Sequence, residues 1–400
     1  MMMENKNVRL WQQYQALYLH IPFCVQKCLY CDFASYAGFG EQAKRDYTDA
    51  VCKEIALRAD EAANMAANAS IYFGGGTPSV LPTECIAKLV NALKQYGFWQ
   101  QPCEATIEVN PGSADLAKLQ TLRSLGFDRI SFGVQSLQDN ELRAIGRIHN
   151  AQQALEALAL ARKAGFARIS ADLIYGLPSQ TLTSLQDTLE RLTDTGIEHI
   201  SVYGLIVEEG TPLASLVDKG RITLPDDDTA ADMYELVQRF LRERGFERYE
   251  ISNYAKNGQY SRHNTVYWEY HPYIAFGAAA CGFDGQRRRT GLSTVREYIA
   301  QLKSFDGDDL RASALYNVEE LSCAELLEEF MFMGLRRSEG ASLAEARGRF
   351  DVDVLQRFAS ELAPLFEQKL IAYDASTQRL RLTERGMEVG NQIFEVFVIT

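Results

Sequence analysis

The sequence lacks three features, and each absence excludes a class of protein. It has no apolar run approaching the roughly 18 residues that a transmembrane helix needs. Residues 1–15 are rich in polar side chains and have no apolar core of the kind found in signal peptides. Basic residues are outnumbered, with 41 Lys and Arg against 53 Asp and Glu, which argues against a broad surface for nucleic acid. We therefore expect a cytoplasmic protein that binds no nucleic acid and has no membrane-spanning segment.

Three of the eight cysteines lie close together, with Cys24, Cys28 and Cys31 in the spacing C-x3-C-x2-C. In a reducing compartment such a group indicates a metal or cluster site rather than disulfides. Structural zinc sites favour paired C-x2-C knuckles and a closed set of four ligands, and this sequence has no second pair. A [4Fe–4S] cluster normally takes four thiolates, so three thiolates would leave one iron open to another ligand.

Strand and helix patterns alternate from about residue 16 to residue 206. Short segments rich in β-branched or aromatic residues predict buried strands at 16–20, 70–73, 105–109, 129–133, 168–173 and 199–205. Helices are predicted between them at 41–67, 83–96, 113–125, 150–164 and 182–195, and several end at a glycine. The alternation predicts a parallel sheet. Six units rather than eight predict an α/β fold with a partial (β/α)6 TIM-like barrel.

Each predicted strand is followed at once by a polar or glycine-rich loop. In an α/β barrel the carboxyl ends of all strands lie at one mouth, where active sites are built. We therefore expect these loops to converge on the cysteine group. They cover residues 24–31, 74–78, 108–111, 133–136, 172–178 and 203–209.

The regular alternation fades after residue 210. A helix to about Arg244 and a strand at 248–253 are predicted next, and amphipathic helices follow from about residue 315. Those helices cover 323–337, 343–349 and 353–369, before strands at 370–373 and 380–382 and a last helix at 383–397. Helices followed by a small β-hairpin resemble a winged-helix module. We predict an N-terminal extension (1–15), a barrel core (16–210), a connecting region (211–312) and a C-terminal helical domain (313–400).

The cysteine motif together with Gly75-Gly76-Thr77-Pro78 resembles the radical S-adenosylmethionine (SAM) superfamily. Within it, the stretch from Tyr18 to Cys24 and the stretch Asp172-Leu173-Ile174-Tyr175-Gly176-Leu177-Pro178 resemble the branch containing oxygen-independent coproporphyrinogen III oxidase. The resemblance extends from about Tyr18 to the C-terminal helices. It implies that SAM chelates the open iron through its amino and carboxylate groups. It also implies that one electron from the reduced cluster cleaves SAM to methionine and a 5′-deoxyadenosyl radical.

The same resemblance implies a set of residues that line the cofactor. Residues 75–77 would approach the methionine moiety, and Glu108 and Asp172 would accept hydrogen bonds from ribose hydroxyls or the ammonium group. Arg147 would meet the carboxylate, and Tyr30 would lie near the adenine. The alternative for each is a structural polar group at a strand end. The implied set is Tyr18, Tyr30, Gly75, Gly76, Thr77, Glu108, Gln135, Arg147 and Asp172.

Two features separate this sequence from the oxidase. The oxidase has a further cysteine two positions after the third cluster cysteine, where this sequence has Phe33, and a longer segment ahead of the cluster. The segment His263-Asn264-Thr265-Val266-Tyr267-Trp268 instead matches the H-N-x-x-Y-W signature of the HemW-type haem chaperones. An imidazole is a good axial ligand for haem iron, and the two aromatic rings can stack on the macrocycle. The alternative is a structural histidine among core aromatic residues.

One departure from the family concerns Cys281, which stands where the family commonly has a histidine. A thiolate can also ligate haem, or Cys281 only packs. We expect a haem chaperone with a [4Fe–4S] cluster, SAM and His263 as the haem ligand; it would require an electron donor and a haem-acceptor protein. The rival is an enzyme that decarboxylates coproporphyrinogen III or transforms another porphyrin, and we assign no catalytic residue. A cluster protein with a structural or sensory role would not need the cofactor-lining residues.

Overall fold

Six parallel strands form the centre of a large sheet and are neighbours in chain order, as the alternating pattern predicts. The computed structural model describes residues 11–307, 310 and 314–398. The strands are β1 (Tyr14–Ile21), β2 (Met65–Gly75), β3 (Ala105–Val109), β4 (Arg129–Gln135), β5 (Arg168–Tyr175) and β6 (His199–Gly204). The helices between them are α1 (Glu41–Leu57), α2 (Thr83–Gln95), α3 (Leu116–Leu125), α4 (Asp139–Ala144), α5 (Ala151–Lys163) and α6 (Leu182–Thr193). The predicted partial (β/α)6 barrel is confirmed.

The core explains why these segments form strands. Consecutive residues of β1, Ala16 and Leu17, are both fully buried, as expected for a parallel strand that is covered on its two faces. Helices α1, α2 and α5 bury apolar side chains against the sheet in one continuous core. The glycines predicted to end helices, Gly97, Gly126 and Gly165, all have positive φ. That conformation suits a residue without a side chain, so the chain turns there from helix to strand.

Later segments extend the sheet at both edges. Strands β7 (Glu247–Arg248) and β8 (Asn253–Ala255) follow β6, whereas β9 (Tyr273–Phe276) pairs in parallel with β1. Beyond β9 this edge continues with β10 (Cys281–Phe283), β11 (Arg287–Gly291) and β12 (Tyr316–Glu320). Four helices lie in the same part of the chain: α7 (Pro212–Asp218), α8 (Asp227–Glu243), α9 (Arg262–Trp268) and α10 (Val295–Ser304). Strands from both sides of residue 210 thus belong to one sheet. The domain division predicted at residue 210 stays a prediction. Residues 1–10 of the predicted extension and the division at 312 and 313 lie outside the described residues.

The C-terminal part has its own apolar core around a three-stranded sheet in the order β13-β15-β14. Its strands are β13 (Ala341–Ser342), β14 (Ile371–Asp374) and β15 (Arg379–Leu382). Its helices are α11 (Cys323–Arg336), α12 (Leu343–Phe350), α13 (Val354–Arg357), α14 (Ala359–Glu367), α15 (Glu384–Glu388) and α16 (Gly390–Phe394). Tyr270 and Phe283 belong to the same core, so this part packs on the barrel edge. No helix in the described parts of the chain is long and apolar enough to span a membrane.

The helix predicted over 41–67 is too long, because α1 ends at Leu57. Arg58 leaves the helical conformation, with φ −110° and ψ 19°. Its guanidinium is buried, where it forms ion pairs with Glu54 at 3.0 Å and Glu61 at 2.8 Å. A short 3-10 segment follows, and β2 begins soon after. A buried ion-pair network therefore ends the helix, and no glycine or proline marks the position in the sequence.

Three other predicted elements are divided in the structure. The strand predicted at 248–253 is replaced by the short strands β7 and β8. The helix predicted at 353–369 breaks at Phe358, and the helix predicted at 383–397 breaks at Val389, where φ is −112° and −116°. Both of these side chains pack into the C-terminal core. Packing of Phe358 and Val389 in the core offsets the helical hydrogen bonds that are lost at each break. Tertiary packing therefore overrides the helical propensity of these two segments.

Candidate cofactor site

The polar loops after β1 to β5 meet at the carboxyl end of the sheet around a cavity of about 140 Å³, which we call the cofactor cavity. Residues of the sixth loop, at 203–206, line a separate cavity instead. The structure brings every predicted site residue except Tyr18 and His263 to the cofactor cavity. The residues that it assembles are Cys24, Cys28, Tyr30, Cys31, Gly75, Gly76, Thr77, Glu108, Gln135, Arg147 and Asp172.

Each of the three cysteine sulfurs has a hydrogen-bonding partner. The Thr77 hydroxyl donates to Cys24 Sγ at 3.6 Å, and Arg147 Nη1 donates to Cys28 Sγ at 3.4 Å. Cys31 Sγ lies 3.7 Å from the hydroxyl of Ser35. Burial raises the pKa of the Cys24 thiol, and the hydrogen bond from Thr77 opposes that effect. Donors placed on ligand sulfurs stabilise thiolates and tune cluster potentials, so this arrangement favours a cluster site.

The three thiols are available as ligands. All eight cysteines are free thiols. In a cubane cluster each thiolate binds a different iron. Cys24, Cys28 and Cys31 would therefore bind three irons and leave the fourth open.

Tyr18 lies behind the cysteine loop rather than in the cofactor cavity. Its hydroxyl is 2.9 Å from His20 Nδ1, and His20 Nε2 is 2.9 Å from the carbonyl oxygen of Ala34. Burial lowers the pKa of His20, which favours the neutral ring. These contacts connect β1 to the end of the loop that carries the thiols. In this structure Tyr18 contributes through the position of the loop, and its contact with the cofactor stays a prediction.

The two glycines of the predicted motif permit close packing against the cysteine loop. A Cβ atom on Gly75 would lie 2.5 Å from the His20 ring, and φ at Gly75 is +115°. A Cβ atom on Gly76 would lie 2.8 Å from the carbonyl oxygen of Phe23. The backbone of Thr77 donates to that same oxygen at 2.8 Å. Any side chain at either glycine would push the end of β2 away from the thiols.

Two enclosed carboxyl groups face the cofactor cavity. Glu108 accepts hydrogen bonds from the Tyr72 hydroxyl at 2.7 Å and from the Gly75 backbone at 3.1 Å. Burial raises the pKa of Glu108 to about 7, although these two donors oppose the effect. Burial also raises the pKa of Asp172, whose oxygens accept from the Ser131 hydroxyl at 3.3 Å. Both groups have acceptor capacity left for an ammonium or hydroxyl ligand.

Arg147 connects the cysteine loop to two neighbouring strands. Besides the bond to Cys28, its Nη2 donates to Asn110 Oδ1 at 2.9 Å and to the carbonyl oxygen of Gly133. Asn110 in turn donates to the Thr77 hydroxyl at 2.8 Å. Asn110 lies in one of the predicted polar loops but is not among the predicted site residues. Its position immediately after β3 was the signal that could have assigned it.

Gln135 and Tyr30 shape the remaining wall of the cofactor cavity. Gln135 has φ 66° at a register shift in the pairing of β4 with β5, which turns its side chain toward the cavity. Tyr30 packs against an apolar group formed by Ile145, Ile174 and Leu177. The tyrosine is therefore held by the barrel as well as by its own loop.

His263 lies away from the cofactor cavity, toward the amino ends of the strands. Its ring is buried, with Nδ1 3.0 Å from the Ser70 hydroxyl and Nε2 2.8 Å from the Tyr267 hydroxyl. It stacks on Tyr72 with ring centroids 4.8 Å apart. Burial lowers its pKa to about 3, so the ring is neutral. Both nitrogens are engaged in this conformation, and haem ligation by His263 stays a prediction that requires one of these bonds to break.

Trp268 of the haem signature and Cys281 also lie outside the cofactor cavity. The Trp268 ring lies under the guanidinium of Arg336, 4.7 Å from the ring centroid to Cζ, and its indole nitrogen has no hydrogen-bond partner. Cys281 is half-buried on β10, and its sulfur is 3.9 Å from the carbonyl oxygen of Gly282. Neither side chain lines the cofactor cavity. The role of Cys281 stays open between ligation and packing.

Comparison with protein families agrees with this geometry. The model of the radical SAM superfamily matches residues 18–192, which include the cysteine loop and the strands around the cofactor cavity. The model of the HemN C-terminal domain matches residues 321–389. Fold and site together define a radical SAM protein. The cofactors of that class are a [4Fe–4S] cluster and SAM, and the thiols, their donors and the enclosed carboxyl groups fit both.

Comparison with curated relatives identifies the family. The chain is 36% identical over 390 residues to the haem chaperone HemW of Bacillus subtilis (strain 168), covering 96% of this chain and 99% of that protein. It is 32% identical over 388 residues to the haem chaperone HemW of Lactococcus lactis subsp. lactis (strain IL1403), covering 97% and 98%. The chain belongs to the HemW family.

A solved structure supports the same fold. Coproporphyrinogen III oxidase (HemN) from Escherichia coli superposes with a TM-score of 0.82 at 23% identity, covering 98% of this chain and 92% of that chain. The similarity therefore extends through the C-terminal part and shows a common architecture for both proteins.

Proposed function

We propose that this chain binds haem and passes it to an acceptor protein. The observation that carries the proposal is the similarity to curated haem chaperones over almost the whole length of both chains. The H-N-x-x-Y-W signature at residues 263–268 supports it, as does Phe33 at the position where the oxidase has its further cysteine. We also propose a cytoplasmic location, which is supported by eight free thiols.

The cofactor cavity is proposed to hold the cluster and SAM side by side. Cys24, Cys28 and Cys31 would bind three irons, and SAM would take the fourth. Arg147 would pair with the SAM carboxylate, and Glu108 would accept a hydrogen bond from the SAM amino group. When bound, these cofactors supply one-electron chemistry, so the proposal includes an external electron donor. The chain itself positions the groups and holds donors on the sulfurs.

His263 remains the proposed haem ligand, and its hydrogen bonds suggest a paired experiment. Haem is titrated into the reconstituted protein, and the Soret band is followed. His263→Ala should lose the wild-type band position, because the imidazole is gone. Tyr267→Phe is the matched variant, since it frees Nε2 from its 2.8 Å hydrogen bond and keeps the imidazole. It should bind haem at least as tightly as the wild type. An unchanged Soret band in His263→Ala would remove ligation by this residue from the proposal.

The haem titration of the wild type tests the function itself. Saturable binding at one haem per chain is expected, and its absence would count against the chaperone. The second candidate function is oxidative decarboxylation of coproporphyrinogen III. The observation in its favour is the structural similarity to the oxidase over 98% of this chain. Fold similarity alone does not carry an activity, and Phe33 argues against it.

A further inference from the structure

A second cavity, here called the lateral cavity, lies beside the barrel mouth. It measures about 720 Å³ and is bordered by the ends of β5 and β6, by α8 and by α15 and α16. Ligand sites in proteins typically occupy about 300–1,000 Å³. The cofactor cavity is proposed to hold the cluster and SAM, so a haem needs a separate place. The lateral cavity is large enough for one haem.

The walls of the lateral cavity are suited to a flat apolar ligand. Tyr175 and Tyr234 both line it and contact each other, with ring centroids 6.0 Å apart and planes inclined by 30°. Tyr203 and Ile206 also line it and are 41% and 68% exposed. Covering such exposed apolar surface with a ring system removes it from water and is favourable in free energy. The lining therefore combines aromatic faces with uncovered apolar surface.

One lining cation is held in place by the haem signature. Arg336 forms part of the wall, stacks on the Trp268 ring and lies 3.4 Å from a Glu250 oxygen. Its Nε is buried and has no hydrogen-bond partner. Of the described residues that line the cavity, Glu235 and Glu388 are negative, and both lie at the exposed rim. A carboxylate inside the cavity would therefore meet Arg336 first.

The two cavities share a wall. Leu205 lines the lateral cavity, and Tyr30 lines the cofactor cavity. Both pack against the same apolar group, which includes Ile174. A ligand in the lateral cavity would thus be separated from the cluster loop by a few side chains.

We propose that the lateral cavity is the haem-binding site, with the macrocycle against the tyrosine faces and one propionate paired with Arg336. This inference rests on the proposed function, because the occupant is the haem of that proposal. It gives Trp268 a defined part in haem binding, namely the positioning of Arg336. His263 does not line the lateral cavity, so a haem held there would not be ligated by His263, and the Soret band of His263→Ala decides between the two positions.

Steric block of the cavity gives the first test. Ala231 is an exposed α8 residue that lines the cavity, and its neighbour Asp232 is exposed on the same helix but does not line it. Haem is titrated into the full reconstituted chain, and the dissociation constant is measured from the absorbance change. Ala231→Trp should weaken haem binding at least about tenfold, whereas Asp232→Trp should leave it unchanged. Equal affinity in Ala231→Trp and the wild type would overturn the proposal.

The propionate contact gives the second test. Wild type and Arg336→Leu are titrated with haem and with haem dimethyl ester, which has no propionate charges. The wild type should prefer haem by about tenfold, as expected for one charge-assisted hydrogen bond, and Arg336→Leu should show no preference. The same preference in both proteins would refute the assigned contact. Failure of the wild type to bind haem at all would instead refute the proposed function, so the two failures are distinguishable.

Discussion

The two ends of the barrel use similar side chains in opposite ways. At the amino end, His199 and His263 each bridge a strand serine and a tyrosine with their two ring nitrogens. Both histidines are buried, and burial lowers both pKa values. At the carboxyl end, thiols, carboxyl groups and Arg147 face a cavity and keep hydrogen-bonding capacity for a ligand. The position along the strand, more than the residue type, separates framework from site.

We expect changes at the carboxyl end to alter binding of the cluster and SAM with little change in stability. Changes at the amino end should lower stability with little effect on the cluster and SAM.

The largest effect is expected at the cluster. Cys28→Ala removes one of three thiolates and the acceptor of the hydrogen bond from Arg147. The brown absorbance of the reconstituted protein should be lost, together with most of its bound iron. Cys103→Ala, which changes an exposed cysteine outside the cofactor cavity, is the control and should reconstitute normally. A normal cluster in Cys28→Ala would refute the assignment of the thiols.

The next effect concerns stability at the amino end. Glu104 is fully buried and pairs with Arg168 at 2.8 Å. Glu104→Ala removes the buried partner of Arg168 and leaves it only a longer ion pair with Asp128 at 3.7 Å, so the free energy of unfolding in urea should fall by about 3–5 kcal/mol. Asp49→Ala, which breaks an exposed pair with Lys88, should cost less than about 1 kcal/mol. SAM affinity of the folded Glu104→Ala protein should match that of the wild type. A loss of SAM affinity in the folded variant would contradict the separation between the two ends of the barrel.

The stabilising contribution of Glu104 should also depend on pH. Burial raises its pKa, but the charges of Arg129 and Arg168 outweigh burial and hold it below the ordinary value. The contribution is therefore present above the unfolded-state pKa of about 4.5 and is lost as the pH falls through the lower folded-state pKa. A stability difference between wild type and Glu104→Ala that did not shrink in acid would contradict this balance.

The next prediction concerns SAM binding by Arg147 at the carboxyl end. Arg147→Ala should lower SAM affinity by about 10–100-fold, the range expected for one lost charge-assisted contact. Calorimetry on the reconstituted protein measures it. Arg143→Ala is the matched control, since Arg143 is an exposed arginine on α4 that does not line the cofactor cavity. Equal SAM affinity in Arg147→Ala and the wild type would show that this arginine positions the loop only.

The smallest expected effect is a pH dependence at Glu108. Its pKa is raised to about 7 by burial, and a hydrogen bond donated by the SAM amino group would favour the ionised form. SAM affinity should therefore rise between about pH 6 and pH 8, by less than about tenfold. Glu108→Gln should bind SAM with no such rise. If SAM affinity in Glu108→Gln rose with pH as it does in the wild type, a group other than Glu108 would cause the pH dependence.

Much of the fold and the site follows from the sequence because both depend on local patterns. Short apolar strands and glycine-ended helices predict the barrel, and the loop positions after the strands predict which residues meet at the mouth. Asn110 was missed because its role depends on two partners from other loops, Arg147 and Thr77. The end of α1 was missed because Arg58 is fixed by a tertiary ion-pair network.

The position of His263 could not be read from its motif. The spacing from residue 263 to residue 268 is the same whether the helix faces a ligand or the core. Only the packing of α9 against β1 and β2 shows that the imidazole meets Ser70 in the described conformation. The lateral cavity likewise depends on the approach of α8 and the C-terminal helices, which no local pattern records.

The central claim is that this chain handles finished haem rather than making its precursor. The most direct measurement incubates one anaerobically reconstituted sample with haem and, in parallel, with coproporphyrinogen III, SAM and a reductant. Absorbance reports bound haem, and chromatography reports porphyrin products. The account predicts one bound haem per chain and unchanged coproporphyrinogen III. Conversion of coproporphyrinogen III to protoporphyrinogen would contradict it.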